Sequence, residues 1–291
     1  MSNDTSDPLS PAFVLPFNSA ILGSEYQPLK PGMTAPFRSP CWVIIRDASL
    51  VVCEIDGELQ LPEGEPPPWC PTSSDALCIG MWRDRPLLAL SLANNVEIAA
   101  PYQTMPFNGP DATLDERLST LAGIANQIIK WEQRSRYCGC CGAIMDRIPL
   151  TWGKCCPACR SEQFPHIHPC IIVLVKRGDE FLLVRNAQWP TGRFSLVAGF
   201  LDIGESLEEC VKREVLEETG ITVQNIRYVG SQSWPFPSQQ MIGFIADHAA
   251  GEPQPDGVEV VEARWFTVDT MPHYPNNIRS IARWIMKNYC V

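Results

Sequence analysis

The stretch GFLDIGESLEECVKREVLEETGI, residues 199–221, decides the fold. Ser206, with Glu209 three residues on, has the form of a capping box, and Gly220 is placed to end a helix in a left-handed conformation. A helix is therefore expected over 207–219. On it Glu214 and Glu218 stand four apart and Glu217 three beyond Glu214, so the three carboxylates share one side, beside an arc formed by Val211 and Val215. Three such anions repel one another unless a cation lies among them. Carboxylate oxygens suit Mg²⁺ or Mn²⁺, hard ions that keep waters and take up phosphate oxygens. For three glutamates alone, the competing reading is a solvated acidic face.

The surrounding residues favour the metal site. Gly199 and Gly204 let the backbone before the helix turn sharply and approach a ligand. Gly199, Glu205, Arg213, Glu214, Glu217, Glu218 and Gly220, with apolar Val215 and Ile221, follow G-x5-E-x7-R-E-U-x-E-E-x-G-U without a gap. With each fixed residue type at roughly one position in fifteen, chance gives this about once in 10^8 starting points. The segment resembles the signature of the Nudix hydrolases. The resemblance implies an α/β/α sandwich and hydrolysis of a nucleoside diphosphate linked to another group. It also implies that the carbonyl of Ala198, before the first motif glycine, joins the metal shell. Arg213 is expected to pair with Glu205 and tie the loop to the helix. Asp256, Glu259 and Glu262 form a second acidic group in PDGVEVVEARWF; family members often draw a further ligand or base from this region, which points to Glu259, with Glu262 the alternative.

Ten residues past the motif, SQSWPFPSQQM (231–241) alternates prolines with Trp234 and Phe236. Prolines fix a rigid extended path, and aromatics on it present flat, low-entropy surfaces to a base or nicotinamide ring; a core-packed loop is the competing reading. After this motif the run resembles the SQPWPFPxS array of NADH pyrophosphatases, the branch that cleaves NAD(H) and, in bacteria, removes NAD caps from RNA. Ser231, Gln232, Trp234, Pro235, Phe236 and Pro237 match. Ser233 replaces proline, Gln239 stands where the array ends in serine, and Ser238 comes one place early, which bears on the nicotinamide contacts. Gln232 through Gln239 are the substrate-binding candidates this implies. Phe164 aligns with a family aromatic that contacts substrate. Phe200, in the glycine loop, is placed to stack on a base or to pack in the core. Ala282 matches a family position near substrate, and helix packing explains it equally well.

Thirteen cysteines, an odd number, and an N-terminus MSNDTSDPLS without a basic start and apolar core lead to the expectation of a reduced, cytoplasmic setting. Cys138-x2-Cys141 and Cys156-x2-Cys159, fourteen residues apart, have four-cysteine zinc-ribbon spacing, which implies a structural Zn²⁺ with no open position. Cys140 and Cys155 are adjacent spares that leave the ligand set ambiguous. Such a ribbon is common before the Nudix domain of NADH pyrophosphatases.

Along the chain, 1–30 reads as a flexible tail, 31–136 as a small α/β domain, 137–164 as the ribbon and 165–291 as the Nudix domain. The α/β domain ends in a helix opened by Thr113 and Glu116, with Leu114, Leu118, Leu121, Ile124 and Ile128 along one stripe. Strands are expected from Cys170, across a turn at 177–179, and at 226–232, 240–247 and 262–267, before a final helix from about 278. No apolar run approaches membrane-spanning length. A net charge of −10 opposes tight nonspecific nucleic-acid binding. Residues 130–160 differ, with six basic residues against two acidic ones; they either guide an RNA 5′ end or solvate the ribbon. His166 and His168 read as entrance or plain loop residues.

These readings converge on an Mg²⁺- or Mn²⁺-dependent hydrolase that splits NAD(H) into a mononucleotide and AMP and removes NAD caps from RNA, acting as a homodimer by resemblance. The alternatives are a broader hydrolase for ADP-ribose or dinucleoside polyphosphates, and a non-catalytic nucleotide or RNA sensor.

Overall fold

The computed structural model describes residues 14–33, 38–70, 76–109, 112–272 and 279–290. The chain divides into two compact units. One comprises Pro16–Ile167 with Trp234–Ser238; the other comprises Met1–Leu15, His168–Ser233 and Gln239–Val291.

The first unit is built on strands β1 (Tyr26–Pro28), β2 (Cys41–Arg46), β3 (Ser49–Ile55), β4 (Glu58–Gln60), β5 (Leu77–Trp82), β6 (Arg85–Ser91) and β7 (Tyr102–Pro106). Their order is β1-β5-β6-β2-β3-β4, with β7 on β3, and the central pair β2 and β6 is parallel. Such a pair is covered on both faces, which is why CWVIIR reads as an unbroken apolar run. Val43, Ile45, Leu87 and Ala89 meet helix α1 (Glu116–Arg134) through Leu118, Leu121, Ala122, Ala125 and Ile129. Trp42 and Ile44 point into a second cluster with Leu90 and Leu92. Each fully buried Leu or Ile contributes roughly 1.5–3 kcal/mol.

Two expectations need correction here. Asp115, not Thr113, caps α1, its carboxylate accepting from the Arg117 and Leu118 amides at 2.7 and 2.9 Å. Residues 14–30 are not a flexible tail: Ser19–Glu25 forms a 3-10 helix, Tyr26–Pro28 joins the sheet, and Leu15, Phe17, Leu22 and Leu29 are buried. The rest of that expectation, residues 1–13, lies outside the described residues. Short strands β8 (Asp146–Arg147), β9 (Lys154–Cys155) and β10 (Glu162–Gln163) form a small sheet in the cysteine-bearing segment.

The second unit carries β11 (His168–Arg177), β12 (Glu180–Asn186), β13 (Val197–Phe200), helix α2 (Leu207–Thr219), β14 (Thr222–Trp234), β15 (Gln239–Ala250), β16 (Val260–Phe266) and helix α3 (Ile281–Tyr289). The sheet order is β14-β15-β11-β12-β16, with β13 on β11 and β11 parallel to β15. Alternation along β11 separates two cores. Ile171, Val173 and Val175 face Val211 and Val215 of α2, while Ile172 and Leu174 face Ile281, Ile285 and Met286 of α3. The layers are α/β/α. Strand β14 runs longer at both ends than expected because it edges the sheet, and its exposed Gln224, Asn225 and Arg227 mask the alternation. Helix α3 begins at Ile281, with Ser280 as its cap; residue 278 lies outside the described residues.

Candidate active site

Helix α2 forms where the capping logic places it. Ser206 Oγ accepts from the Glu209 amide, Glu209 reaches back to the Ser206 amide, and Gly220 closes the helix at φ 70°. Cys210, Val211 and Val215 bury the inner face and orient the carboxylates. Gly199 has a specific reason to be glycine: a Cβ there would fall inside the Glu214 carboxylate.

Arg213 organises the loop around this helix. It grips Glu205 with two hydrogen bonds of 2.6 and 2.9 Å, donates to the Phe200 carbonyl at 2.8 Å, and reaches Glu214 and Glu217 at 2.9 and 3.1 Å. The Arg213 guanidinium, helped by the Asp202 amide, holds the Glu205 carboxyl down to about 2. The loop is thus fastened to the helix through the pair the sequence suggested, and a planar bidentate fork is the geometry that does so.

The three glutamates differ in setting. Glu217 is exposed, Glu214 is half-buried, and Glu218 is buried. Burial raises Glu214 against the pull of Arg213. Burial first, then the charges of Glu214, Glu259, Asp256 and Glu217, push Glu218 up to about 8. Among the described residues Glu218 has no hydrogen bond or ion pair to offset those charges. A buried carboxylate ringed by other carboxylates is a site whose missing partner is a cation, and its hard oxygen donors fit a divalent one.

Glu259 belongs to the same electrostatic group, since its charge acts on both Glu214 and Glu218. Asp256 shapes the loop that presents it, accepting from the amides of Val258, Glu259 and Val260 at 3.0, 3.2 and 2.8 Å. Glu262 is occupied elsewhere: it pairs with Arg185 at 2.5 Å and with Arg264. Of the two candidates, Glu259 is the one left to the acidic group. Ala198 lies on β13 opposite Ile172, directly before Gly199. The Phe200 side chain is 51% exposed, so its ring is not a core element.

The other substrate candidates have different settings. Gln232 is buried, and its amide is spent on the start of α3, donating to the Arg279 carbonyl at 2.8 Å and accepting from the Ile281 amide at 2.7 Å. It supports the start of that helix. Ala282 is buried on α3 against the sheet. Ser233 and Gln239 flank Trp234–Ser238, the segment grouped with the first unit. There Trp234 and Phe236 pack edge-on to Phe17, Phe236 stacks on Phe107, Pro235 is buried, and the Phe236-Pro237 bond is cis. Ser238 completes the turn into β15. Phe164 also lies in the first unit, its half-exposed ring 2.6 Å from where a Cβ on Gly153 would sit.

The Sγ atoms of Cys138, Cys141, Cys156 and Cys159 all lie within 4.8 Å of one another. Two of the separations are 3.6 Å, Cys138 to Cys159, and 3.4 Å, Cys141 to Cys156. Bonds of about 2.3 Å to a tetrahedral ion place sulfurs about 3.8 Å apart, so the cluster fits a metal ion. Amides of Cys140 and Cys159 point at the sulfurs of Cys138 and Cys156, both at 3.4 Å. Cys140 instead turns toward Ser161, and Cys155 is outside the four-sulfur group. Of the basic residues in this region, Arg147 and Lys154 are committed to Glu132 at 2.7 and 2.9 Å.

The chain is similar to known proteins. A NUDIX domain model matches residues 166–285, and a model described as an NADH pyrophosphatase-like rudimentary NUDIX domain matches 39–131. The chain is 40% identical over 215 residues to NAD-capped RNA hydrolase NudC of Pseudomonas aeruginosa, covering 72% of this chain and 75% of that one. It is 37% identical over 237 residues to the NudC of Edwardsiella ictaluri, covering 80% and 89%. For the Escherichia coli NudC the identity is 36% over 234 residues, covering 80% and 87%. Among solved structures, a NUDIX hydrolase from Nitrosomonas europaea aligns at 27% identity and TM-score 0.45, covering 53% of this chain and 90% of that one.

Proposed function

The chain belongs to the Nudix hydrolase family, in its NADH pyrophosphatase-like branch, and from that premise we propose that it hydrolyses the diphosphate of NAD(H) to nicotinamide mononucleotide and AMP and removes NAD caps from RNA 5′ ends. The observation that carries this reading is buried Glu218, which stands among the charges of Glu214, Glu217 and Glu259 and itself has no hydrogen bond or ion pair among the described residues. Its relatives named NAD-capped RNA hydrolase support the substrate.

Glu214, Glu217, Glu218 and Glu259, with the Ala198 carbonyl, would hold Mg²⁺ or Mn²⁺. Such ions neutralise charge on the diphosphate oxygens and acidify water. Water adds to one phosphorus, the bridging P–O bond breaks, and the departing phosphate carries its electron pair away. Glu214 and Glu218 would hold the metal, Glu217 would share that task or orient the attacking water, and Glu259 would complete the shell or act as the base that takes up the water's proton. Arg213 touches no reacting atom in this scheme; it keeps Glu205, Glu214 and the Phe200 carbonyl in register. Phe200 offers an exposed ring for the base. By family resemblance, Trp234, Pro235, Phe236, Pro237 and Ser238, with Ser233 and Gln239, are the residues proposed for the nicotinamide end, and Phe164 and Ala282 are further substrate candidates. Cys138, Cys141, Cys156 and Cys159 would hold Zn²⁺ as a structural ion, supported by their sulfur spacing. We place the enzyme in the reduced cytoplasm as a homodimer, on its odd cysteine count and family resemblance. No helix among the described residues is long and apolar enough to cross a membrane.

A broader dinucleotide specificity is the second reading, favoured by Ser233 and Gln239 in the array and by the engaged amide of Gln232. Comparing kcat/KM for NADH, NAD⁺, ADP-ribose, dinucleoside polyphosphates and a 5′-NAD RNA decides between them. NADH or NAD-RNA leading by tenfold or more supports the first reading. Equal rates across the panel support the second, and no metal-dependent product from any of them removes both.

A further inference from the structure

Helix α1 carries three residues that a core-facing helix would not ordinarily choose. Thr120, Gly123 and Asn126 lie on one i, i+3, i+6 ridge and are all buried. Glycine inside a helix costs about 1 kcal/mol relative to alanine, and a buried amide is costly unless it is bonded. Each is accounted for by what it touches. A Cβ on Gly123 would lie 2.8 Å from Pro235 Cγ and 2.9 Å from the Phe17 ring. Asn126 Nδ2 donates to the Pro235 carbonyl at 2.8 Å. Thr120 Oγ1 accepts from the Phe17 amide at 2.9 Å, holding Phe17 in the left-handed region at φ 68°, where its ring stands edge-on to both Trp234 and Phe236.

These costs converge on one segment. Trp234–Ser238 is continuous in sequence with β14 and β15 of the carboxylate-bearing unit, yet it is built into the amino-terminal one. The geometry points to the Thr120-Gly123-Asn126 ridge as a seat that fixes the path of Trp234–Ser238. Gly123 and Asn126 are then positioning residues for substrate discrimination, and the amino-terminal domain's contribution to the reaction is to hold this segment. This rests on the proposed role of Trp234 and Phe236 at the nicotinamide end. Local rules broken at buried positions, with one shared beneficiary, are the pattern expected of a functional constraint.

Two substitutions test it in the full-length enzyme. Asn126→Leu keeps the side-chain size and removes the donor; Gly123→Ala pushes a methyl into Pro235. NADH and ADP-ribose share the adenosine diphosphate half and differ at the nicotinamide. Each variant should lower kcat/KM for NADH about tenfold, mostly through KM, the scale of one lost buried hydrogen bond, while ADP-ribose changes less than twofold. Equal losses on both substrates, or none on NADH, overturn the inference. Hydrogen exchange gives an arm that does not depend on activity: amides of 232–240 should exchange faster in both variants, with α2 unchanged. If the wild-type protein cleaves neither compound, the proposed function fails, and unchanged exchange at 232–240 independently removes the seat.

Discussion

The two sheets of this molecule are the same construction, and only one carries the acidic helix. In the amino-terminal unit β5-β6-β2-β3-β7 is followed by α1; in the carboxy-terminal unit β14-β15-β11-β12-β16 is followed by α3. The agreement reaches single residues. Strand β5 ends on Trp82 and β14 on Trp234. Cys41 pairs with Leu87, two beyond the first residue of β6, and Cys170 with Met241, two beyond the first residue of β15. Cys41 bridges Glu63, and Cys170 pairs with Phe200. Between Phe200 and Trp234 the chain inserts the glycine loop and α2. Between Glu63 and Trp82 it runs through EGEPPPW, and no helix forms among the described residues there. The shared sheet supplies the frame, and the helix that bears Glu214, Glu217 and Glu218 lies in one inserted connection.

If that is correct, disturbing the connection in the second unit abolishes turnover, and the matching position in the first unit is silent. Chelating divalent cations should lower NADH turnover at least ~1000-fold, restored by Mg²⁺ or Mn²⁺. Glu63→Gln, at the counterpart of Phe200, should leave kcat within about twofold; a large loss there would break the comparison. Cys156→Ser sharpens it from the other side. If the cluster holds a structural ion, losing one ligand should destabilise the amino-terminal unit by on the order of 3 kcal/mol or more, read by thermal melting and metal content, with little change in turnover per folded molecule. Gly199→Ala, which places a methyl where Glu214 sits, should cost about 10–100-fold in kcat with the melting temperature nearly unchanged.

The smallest effect is a pH dependence of the metal-free protein. Glu218 is raised to about 8 by burial and neighbouring carboxylates, above an unfolded value of about 4.3. Between those values the folded state keeps a proton that the unfolded chain has released, so this contribution to stability is full below the lower value and is lost as pH rises to the upper one. Glu218→Gln removes the dependence, and without metal the variant should be more stable than wild type at pH 8 by on the order of 1–2 kcal/mol. Melting curves at pH 5 and 8 in chelator check this; a wild type that gains stability over that interval, relative to the variant, contradicts the electrostatic account.

The sequence made the second unit's centre legible because its constraints are local. A capping box, a left-handed glycine and carboxylates at helical spacing lie within 23 consecutive residues, and the helix spans 207–219 as the spacing requires. The four-cysteine cluster was legible for the same reason. Long-range constraints were hidden. Nothing near Gln232 indicates that its amide secures the start of α3, nor does SQSWPFPS reveal that its aromatics pack with Phe17 and Phe107. Residues 14–30 lack periodicity because a 3-10 helix and a three-residue strand are too short to show one, although their apolar side chains are buried. Asp115 displaced Thr113 as the cap of α1 through competition between neighbouring oxygens, which spacing alone does not rank.

The central claim is that the carboxylates of α2 carry the hydrolysis. The most direct measurement is kcat for NADH with saturating Mn²⁺ in Glu218→Gln against wild type, with circular dichroism on both. The account predicts an unchanged fold and a loss of at least ~100-fold. A folded variant turning over at near wild-type rate would contradict it.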